Sequence, residues 1–165
     1  MTPQIQQWVK KAKKDFIQQS GKVLEIGSLN INGSIRQFFS DTKEYIGIDM
    51  MKGSCVDKVM EAHDILKVFG KEAFDTVLCL EMLEHDNAPW VTIENMHKIL
   101  KKGGFLIVST PTFGFPIHRY PKDYFRYGED TFREIIFKDI EILRLSEVKD
   151  YLNNPGICCI GQKSK

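Results

Sequence analysis

Residues 74–80, FDTVLCL, read as a near-continuous apolar strand. Strands of that kind are buried on both faces and belong to parallel sheets covered by helices on each side. Shorter apolar runs flank it at 22–26 (KVLEI), 45–48 (YIGI) and 105–109 (FLIVS), with a weak candidate at 55–59. Helical stretches alternate with these runs. Thr2-Pro3 offers a cap and a first-turn proline, and Ile5, Trp8, Val9, Ala12, Phe16 and Ile17 recur at helical spacing until Gly21. Residues 1–20 therefore read as an amphipathic helix whose Lys10, Lys11, Lys13 and Lys14 form a solvated face. Short helices are expected at 34–39, 65–70 and 131–136, and a longer one from Pro89 to Lys102, capped by Gly103.

Alternating strands and helices predict an α/β chain with a mostly parallel, doubly wound sheet. Residues 141–148 and 156–161 are joined through Asn153-Asn154-Pro155, too tightly for a crossover helix, so they should form an antiparallel hairpin at one edge. Ligands in such sheets bind beyond the carboxyl ends of the strands. The places to look are just after Ile26, Ile48, Leu80 and Val108.

At 165 residues the chain is expected to be one domain, 1–165. The net charge of +1 gives no global footprint for nucleic acid, so a nucleic-acid partner is disfavoured. No apolar run approaches the ~20 residues of a membrane helix. Cys55, Cys79, Cys158 and Cys159 show no CxxC spacing, and buried free thiols in a reducing cytoplasm are the expectation.

The turn after the first strand runs Glu25-Ile26-Gly27-Ser28-Leu29-Asn30 to Gly33. Gly27 lets the backbone approach a ligand, and Gly33 is expected near the start of the next helix, where free N–H groups attract anions. A dinucleotide site wants G-x-G-x-x-G, and Leu29 stands where the second glycine belongs. Glu25 suits a cationic amino group better than a pyrophosphate. Asp49 ends the second strand 22 residues beyond Gly27, where an acid takes both ribose hydroxyls. A ribose partner, an acid facing an ammonium and no pyrophosphate cradle describe S-adenosylmethionine (SAM). Glu25 as a buried, backbone-satisfied acid, and Asp49 as a plain turn residue, are the competing readings.

These segments resemble the class I SAM-dependent methyltransferases over residues 20 to 136. VLEIGS is similar to their first motif, YIGID to the second and Ala62-His63-Asp64-Ile65 to the third. FDTVLCLEMLEH resembles the fourth as written in the ubiquinone-pathway O-methyltransferases and the type 11 group, and LKKGGFLIVSTP the helix and strand that follow. The first motif departs from the family in carrying Leu29 and Asn30 where glycines are usual. The resemblance implies a Rossmann-like, seven-stranded sheet with one antiparallel edge strand. It also implies cofactor-binding roles. Glu25, Gly27 and Asn30 would take the methionine end, Asp49 the ribose and Met50 the adenine face. Asp64 and the Ile65 backbone would meet the adenine edge, with Asp64 as a cap of the following helix the competing reading. Leu80 and Glu81 would line the sulfonium side.

The acceptor side is expected after the fourth and fifth strands. Phe113, Phe115, Tyr120, Tyr124, Phe125 and Tyr127 crowd a segment stiffened by Pro111, Pro116 and Pro121. Residues 111–127 read as a lid and acceptor loop. Phe113, Tyr120 and Tyr124 would contact the acceptor, and Arg119 and Arg126 would grip a phosphate or carboxylate. His85 and His118 are the candidate catalytic bases. The expected activity moves a methyl group from SAM to a small-molecule or glycan acceptor, on oxygen, with no metal. Glu81, Glu84 and His85 form E-x-x-E-H, which on a helix would put Glu81 and His85 on one face. With His118 they resemble the divalent-metal cluster of small-RNA 2′-O-methyltransferases, so a metal-dependent RNA enzyme is the first alternative. A SAM-binding, non-catalytic partner subunit is the second.

Overall fold

The computed structural model describes residues 1–119 and 121–165. Helix α1 (Pro3–Phe16) opens on Thr2, whose hydroxyl accepts the Ile5 N–H at 3.5 Å. It buries Ile5, Val9 and Ala12 and ends four residues earlier than the spacing suggested. Strand β1 (Lys22–Ile26) follows. The segment expected to be a helix at 34–39 is only a 3₁₀ turn, Arg36–Phe39, anchored by fully buried Ile35 and Phe39. Gly33 therefore precedes no helix, and the anion-attracting N-terminus expected there does not exist.

Strands β2 (Glu44–Asp49) and β3 (Lys58–Val59) lead to a 3₁₀ turn, Ala62–Asp64, and helix α2 (Ile65–Phe69). Strand β4 (Phe74–Leu80) is buried at all but one position, as its composition requires. Helix α3 (Pro89–Ile99) stops before Lys101, Lys102 and Gly103, which belong to strand β5 (Leu100–Pro111). The reason is packing. Leu100 is fully buried and pairs with Phe74, and the register then slips so that Phe105 meets Thr76. Gly103, at φ +74°, sits in that irregularity and does not cap α3. Lys101 reaches the Asp75 carboxylate at 2.9 Å instead of the helix end. A short helix α4 (Glu129–Thr131) passes into a π-helical turn, Phe132–Ile136, before β6 (Ile140–Lys149) and β7 (Pro155–Lys163).

The seven strands form one sheet in the order β3-β2-β1-β4-β5-β7-β6. The first five run parallel. Strand β7 runs antiparallel to both β5 and β6, so the expected hairpin closes that edge, with β7 reversed inside it and β6 outermost. Two apolar clusters cover the sheet. One joins Leu24, Ile26, Val77, Leu106 and Val108 to α2, α3 and the 132–137 turn. The other joins Val23, Leu78, Leu80 and Ile107 to α1, Ile35 and Phe39. Burial of each such aliphatic side chain contributes about 1.5–3 kcal/mol. The strand order reverses between β1 and β4, and the crevice beyond their carboxyl ends is the switch point of the fold.

Candidate cofactor and acceptor site

The crevice is walled by the loop after β1. The N–H groups of Gly27 and Ser28 both donate to the Ile48 carbonyl at 2.9 Å. Gly27 sits at φ +76°, and a Cβ there would lie 2.8 Å from Met82 Cγ. The glycine thus lets the loops after β1 and β4 meet. Asp49, at the end of β2, accepts the Leu29 N–H at 3.3 Å and the Met51 N–H at 2.9 Å. Exposed Asn30 accepts the Gly33 N–H at 2.9 Å through its side-chain oxygen, leaving its amide nitrogen as the donor for a ligand.

Glu25 takes the buried, satisfied arrangement. It is 3% exposed and accepts the Tyr45 hydroxyl at 2.7 Å. Tyr45, rather than backbone N–H groups, is its partner. Burial pushes its carboxyl up to about 7, opposed by the Tyr45 hydrogen bond and the Arg36 charge. Met50 is exposed, and so is Asp64, which makes no side-chain cap on α2. The Ile65 side chain is fully buried in the core, so only its backbone could meet a ligand.

After β4, Leu80 is buried and Glu81 adopts φ +53°, a left-handed conformation that no helix can contain. Its backbone N–H donates to the Ser109 carbonyl at 2.9 Å, and its carboxylate accepts the Ser109 hydroxyl at 3.0 Å. Burial, then the charge of Glu84, pushes its carboxyl up. Only Leu83–His85 form a 3₁₀ turn, so Glu81 and His85 do not share a helical face. The four-residue metal set is corrected accordingly. Glu84, His85 and His118 offer ligand atoms within 4.8 Å of one another, and Glu81 is not among them.

Glu84 is the most unusual group in the crevice. Its side chain is wholly buried, and neither carboxylate oxygen has a hydrogen-bond partner. His85 Nε2 and His118 Nε2 each lie 3.6 Å from Glu84 Oε1. The two rings meet edge to face with centroids 4.9 Å apart. The Lys122 carbonyl faces His85 Nδ1, so Nδ1 is the donor of that pair. Among the described residues, this trio is the set that could hold a cation.

The described residues near the end of the 111–127 segment pack against the turn after β4. The Tyr124 N–H donates to the Glu84 carbonyl at 2.8 Å, and the buried Tyr127 hydroxyl to the Leu83 carbonyl at 2.9 Å. Phe113 and Tyr124 are exposed at 71% and 44%, and Arg119 is exposed. Tyr120 lies outside the described residues. Arg126 is not free to grip an acceptor. Its guanidinium pairs with both Asp123 oxygens and donates to the Phe115, Pro116 and Phe125 carbonyls. Two acids with buried side chains were given no role by the sequence reading. Asp123 sits three residues before Arg126, a spacing that could have announced the pair. Asp86 binds His63 Nε2, the Ala88 N–H and the Thr92 hydroxyl at 2.8, 2.8 and 2.5 Å.

A family model described as a methyltransferase domain matches residues 1–131. The chain belongs to that methyltransferase family. The ubiquinone biosynthesis O-methyltransferase of Pseudomonas syringae pv. tomato is 45% identical over 53 residues, covering 32% of this chain and 20% of that protein. The match thus spans about a fifth of that relative's length. Among solved structures, Burkholderia thailandensis 1,6-didemethyltoxoflavin-N1-methyltransferase, bound to its substrate and S-adenosylhomocysteine, has a TM-score of 0.78 at 13% identity. The likeness covers 97% of this chain and 78% of that one. The [4+2]-cyclase SpnF has a TM-score of 0.73 at 14% identity, covering 96% of this methyltransferase chain and 81% of its own. One fold carrying both chemistries means that the acceptor has to be argued from the site. No helix among the described residues is long and apolar enough to cross a membrane.

Proposed function

We propose that this methyltransferase transfers the methyl group of SAM to an oxygen of a small molecule or glycan. The observation carrying the cofactor part is the pinning of the post-β1 loop to Asp49 across a glycine with no room for a side chain. That cradle fits SAM. Asp49 would hold the ribose, Met50 cover the adenine, and Asp64 with the Ile65 backbone meet the adenine edge. Gly27 and the Asn30 amide would take the methionine end, with Leu80 and Glu81 beside the sulfonium. Glu25, buried against Tyr45, supports this wall from beneath and is not offered as a direct ligand.

SAM supplies a methyl group already activated on a sulfonium. The chain aligns the acceptor oxygen with it in line and excludes water. In that transfer His118 Nε2 would take up the proton that the acceptor oxygen releases, with His85 beside it as the second base. Phe113, Arg119 and Tyr124 would contact the acceptor, and Tyr120 remains an expectation from the sequence. The names of the curated relatives support oxygen as the acceptor atom.

The unpartnered Glu84 carboxylate favours a second reading, in which a divalent cation joins Glu84, His85 and His118 and holds a cis-diol acceptor. Calorimetric titration with SAM in EDTA, repeated with Mn²⁺ and with NAD as the control, tests both. SAM binding in EDTA supports the first reading. Heat from metal alone, saturating at one ion per chain, supports the second. Absence of SAM binding in either buffer sinks the enzyme reading and leaves the non-catalytic partner subunit.

A further inference from the structure

The loop bearing His118 is tied by one guanidinium. Arg126 Nε donates to the Phe115 carbonyl at 3.2 Å, and Nη2 donates to the Pro116 carbonyl at 2.8 Å and to Asp123 Oδ2 at 2.6 Å. Its Cζ lies over the Phe115 ring, 5.7 Å from the centroid, and that ring also meets His118 with centroids 5.1 Å apart. Asp123, 2% exposed, accepts the His118 backbone N–H at 2.7 Å. The same Oδ2 lies 3.4 Å from His118 Nδ1, an atom buried without a hydrogen-bond partner. On the opposite side of the ring, Nε2 points to Glu84.

We propose that Asp123, held by Arg126, is a positioning residue. It fixes the Nδ1–H form of His118 and thereby turns an unprotonated Nε2 into the crevice. The logic is that of a catalytic base oriented by a carboxylate on its far nitrogen, with contacts that are long in the free protein and tighten on binding. The inference rests on the reading of His118 as the base, and its test does not require turnover.

The test is the tautomer of His118 in the full chain, read at pH 8.5 from the ring nitrogens of ¹⁵N-histidine-labelled protein. His118→Ala assigns the signals against His63, His85 and His97. The expected wild-type spectrum has a protonated Nδ1 and an unprotonated Nε2. In Asp123→Asn the Nε2 resonance should move toward the protonated range, and Asp123→Glu should restore it. A wild-type His118 with its proton on Nε2 overturns the proposal by itself, even should Asp123→Asn fail to fold. So does an unchanged His118 spectrum in Asp123→Asn whose other three histidines are unmoved. If His118 shows the expected tautomer while His118→Ala still transfers methyl groups at the wild-type rate, the base reading fails and the positioning inference stands.

Discussion

The Tyr45 hydroxyl donates to the buried Glu25 carboxylate at 2.7 Å, joining neighbouring strands β2 and β1 beneath the cofactor crevice. This one bond leaves most of the desolvation of Glu25 uncompensated, and its carboxyl is pushed up to about 7. The consequence is a pH dependence of stability with a definite sign. Between the unfolded value of 4.5 and about 7, the folded chain holds a proton at Glu25 that the unfolded chain has lost. Stability therefore falls as pH rises through that window, by at most about 3 kcal/mol from this group. Urea melts at pH 5 and pH 8 should show the loss, and Glu25→Gln should reduce it, leaving the share of Glu81 and Glu84, whose carboxyls burial also pushes up. An identical pH slope in the variant would exclude Glu25 as its source.

Asp49 ties the end of β2 to the post-β1 loop through the Leu29 and Met51 N–H groups. Asp49→Ala should abolish SAM binding by removing the ribose partner and loosening the loop together. Asp49→Asn separates the two effects, because its side-chain oxygen can still accept one N–H while the charge is gone. We expect calorimetry to show no detectable heat for Asp49→Ala and a weakening of about 10- to 100-fold for Asp49→Asn, about one hydrogen bond to a charged group. Wild-type affinity in either variant would remove Asp49 from the cofactor site.

Asp86 accepts the Ala88 N–H and the buried Thr92 hydroxyl at the start of α3, and reaches His63 across to the turn before α2. Asp86→Ala strands the Thr92 hydroxyl in a site with no exposure. The expected cost is about 2–3 kcal/mol, or roughly 4–12 °C in Tm for a chain of this size. Thermal melts of Asp86→Ala alone and with Thr92→Val check this. The double variant should recover part of the loss, and a double variant no better than the single would show that the orphaned hydroxyl is not the cause.

The strand set and its closing hairpin were legible because apolar runs and short linkers are local signals. The turn at Gly27 and the strand end at Asp49 were legible because a turn after a strand has few solutions. Three misreadings share one cause, a tertiary contact overruling a local pattern. Gly103 looks like a helix cap, yet Leu100 already belongs to the strand facing Phe74. Glu81 and His85 have helical spacing, yet Glu81 turns left-handed to meet Ser109. Arg126 looks like an anion clamp, yet Asp123 and three carbonyls of its own loop use its donors. The burial of Glu84 with no hydrogen-bond donor to either oxygen was invisible in the sequence, because it is a property of the assembled crevice.

His118 combines a 36% exposed side chain with an Nε2 that faces the buried Glu84 carboxylate. It is reachable by an acceptor from solvent, and once protonated it would have the Glu84 carboxyl, which burial pushes up, as its hydrogen-bond partner. His118→Ala should therefore slow transfer by about 10²- to 10⁴-fold, the usual contribution of a positioned general base. SAM affinity should stay within threefold, because none of the residues proposed to grip the cofactor donates to or accepts from this ring. Single-turnover assays with an acceptor that the wild type methylates, alongside SAM calorimetry, give both numbers. Equal loss of rate and SAM affinity would make His118 a support of the fold or the cofactor. An unchanged rate would pass the base role to His85, whose Nε2 lies 3.6 Å from the same carboxylate.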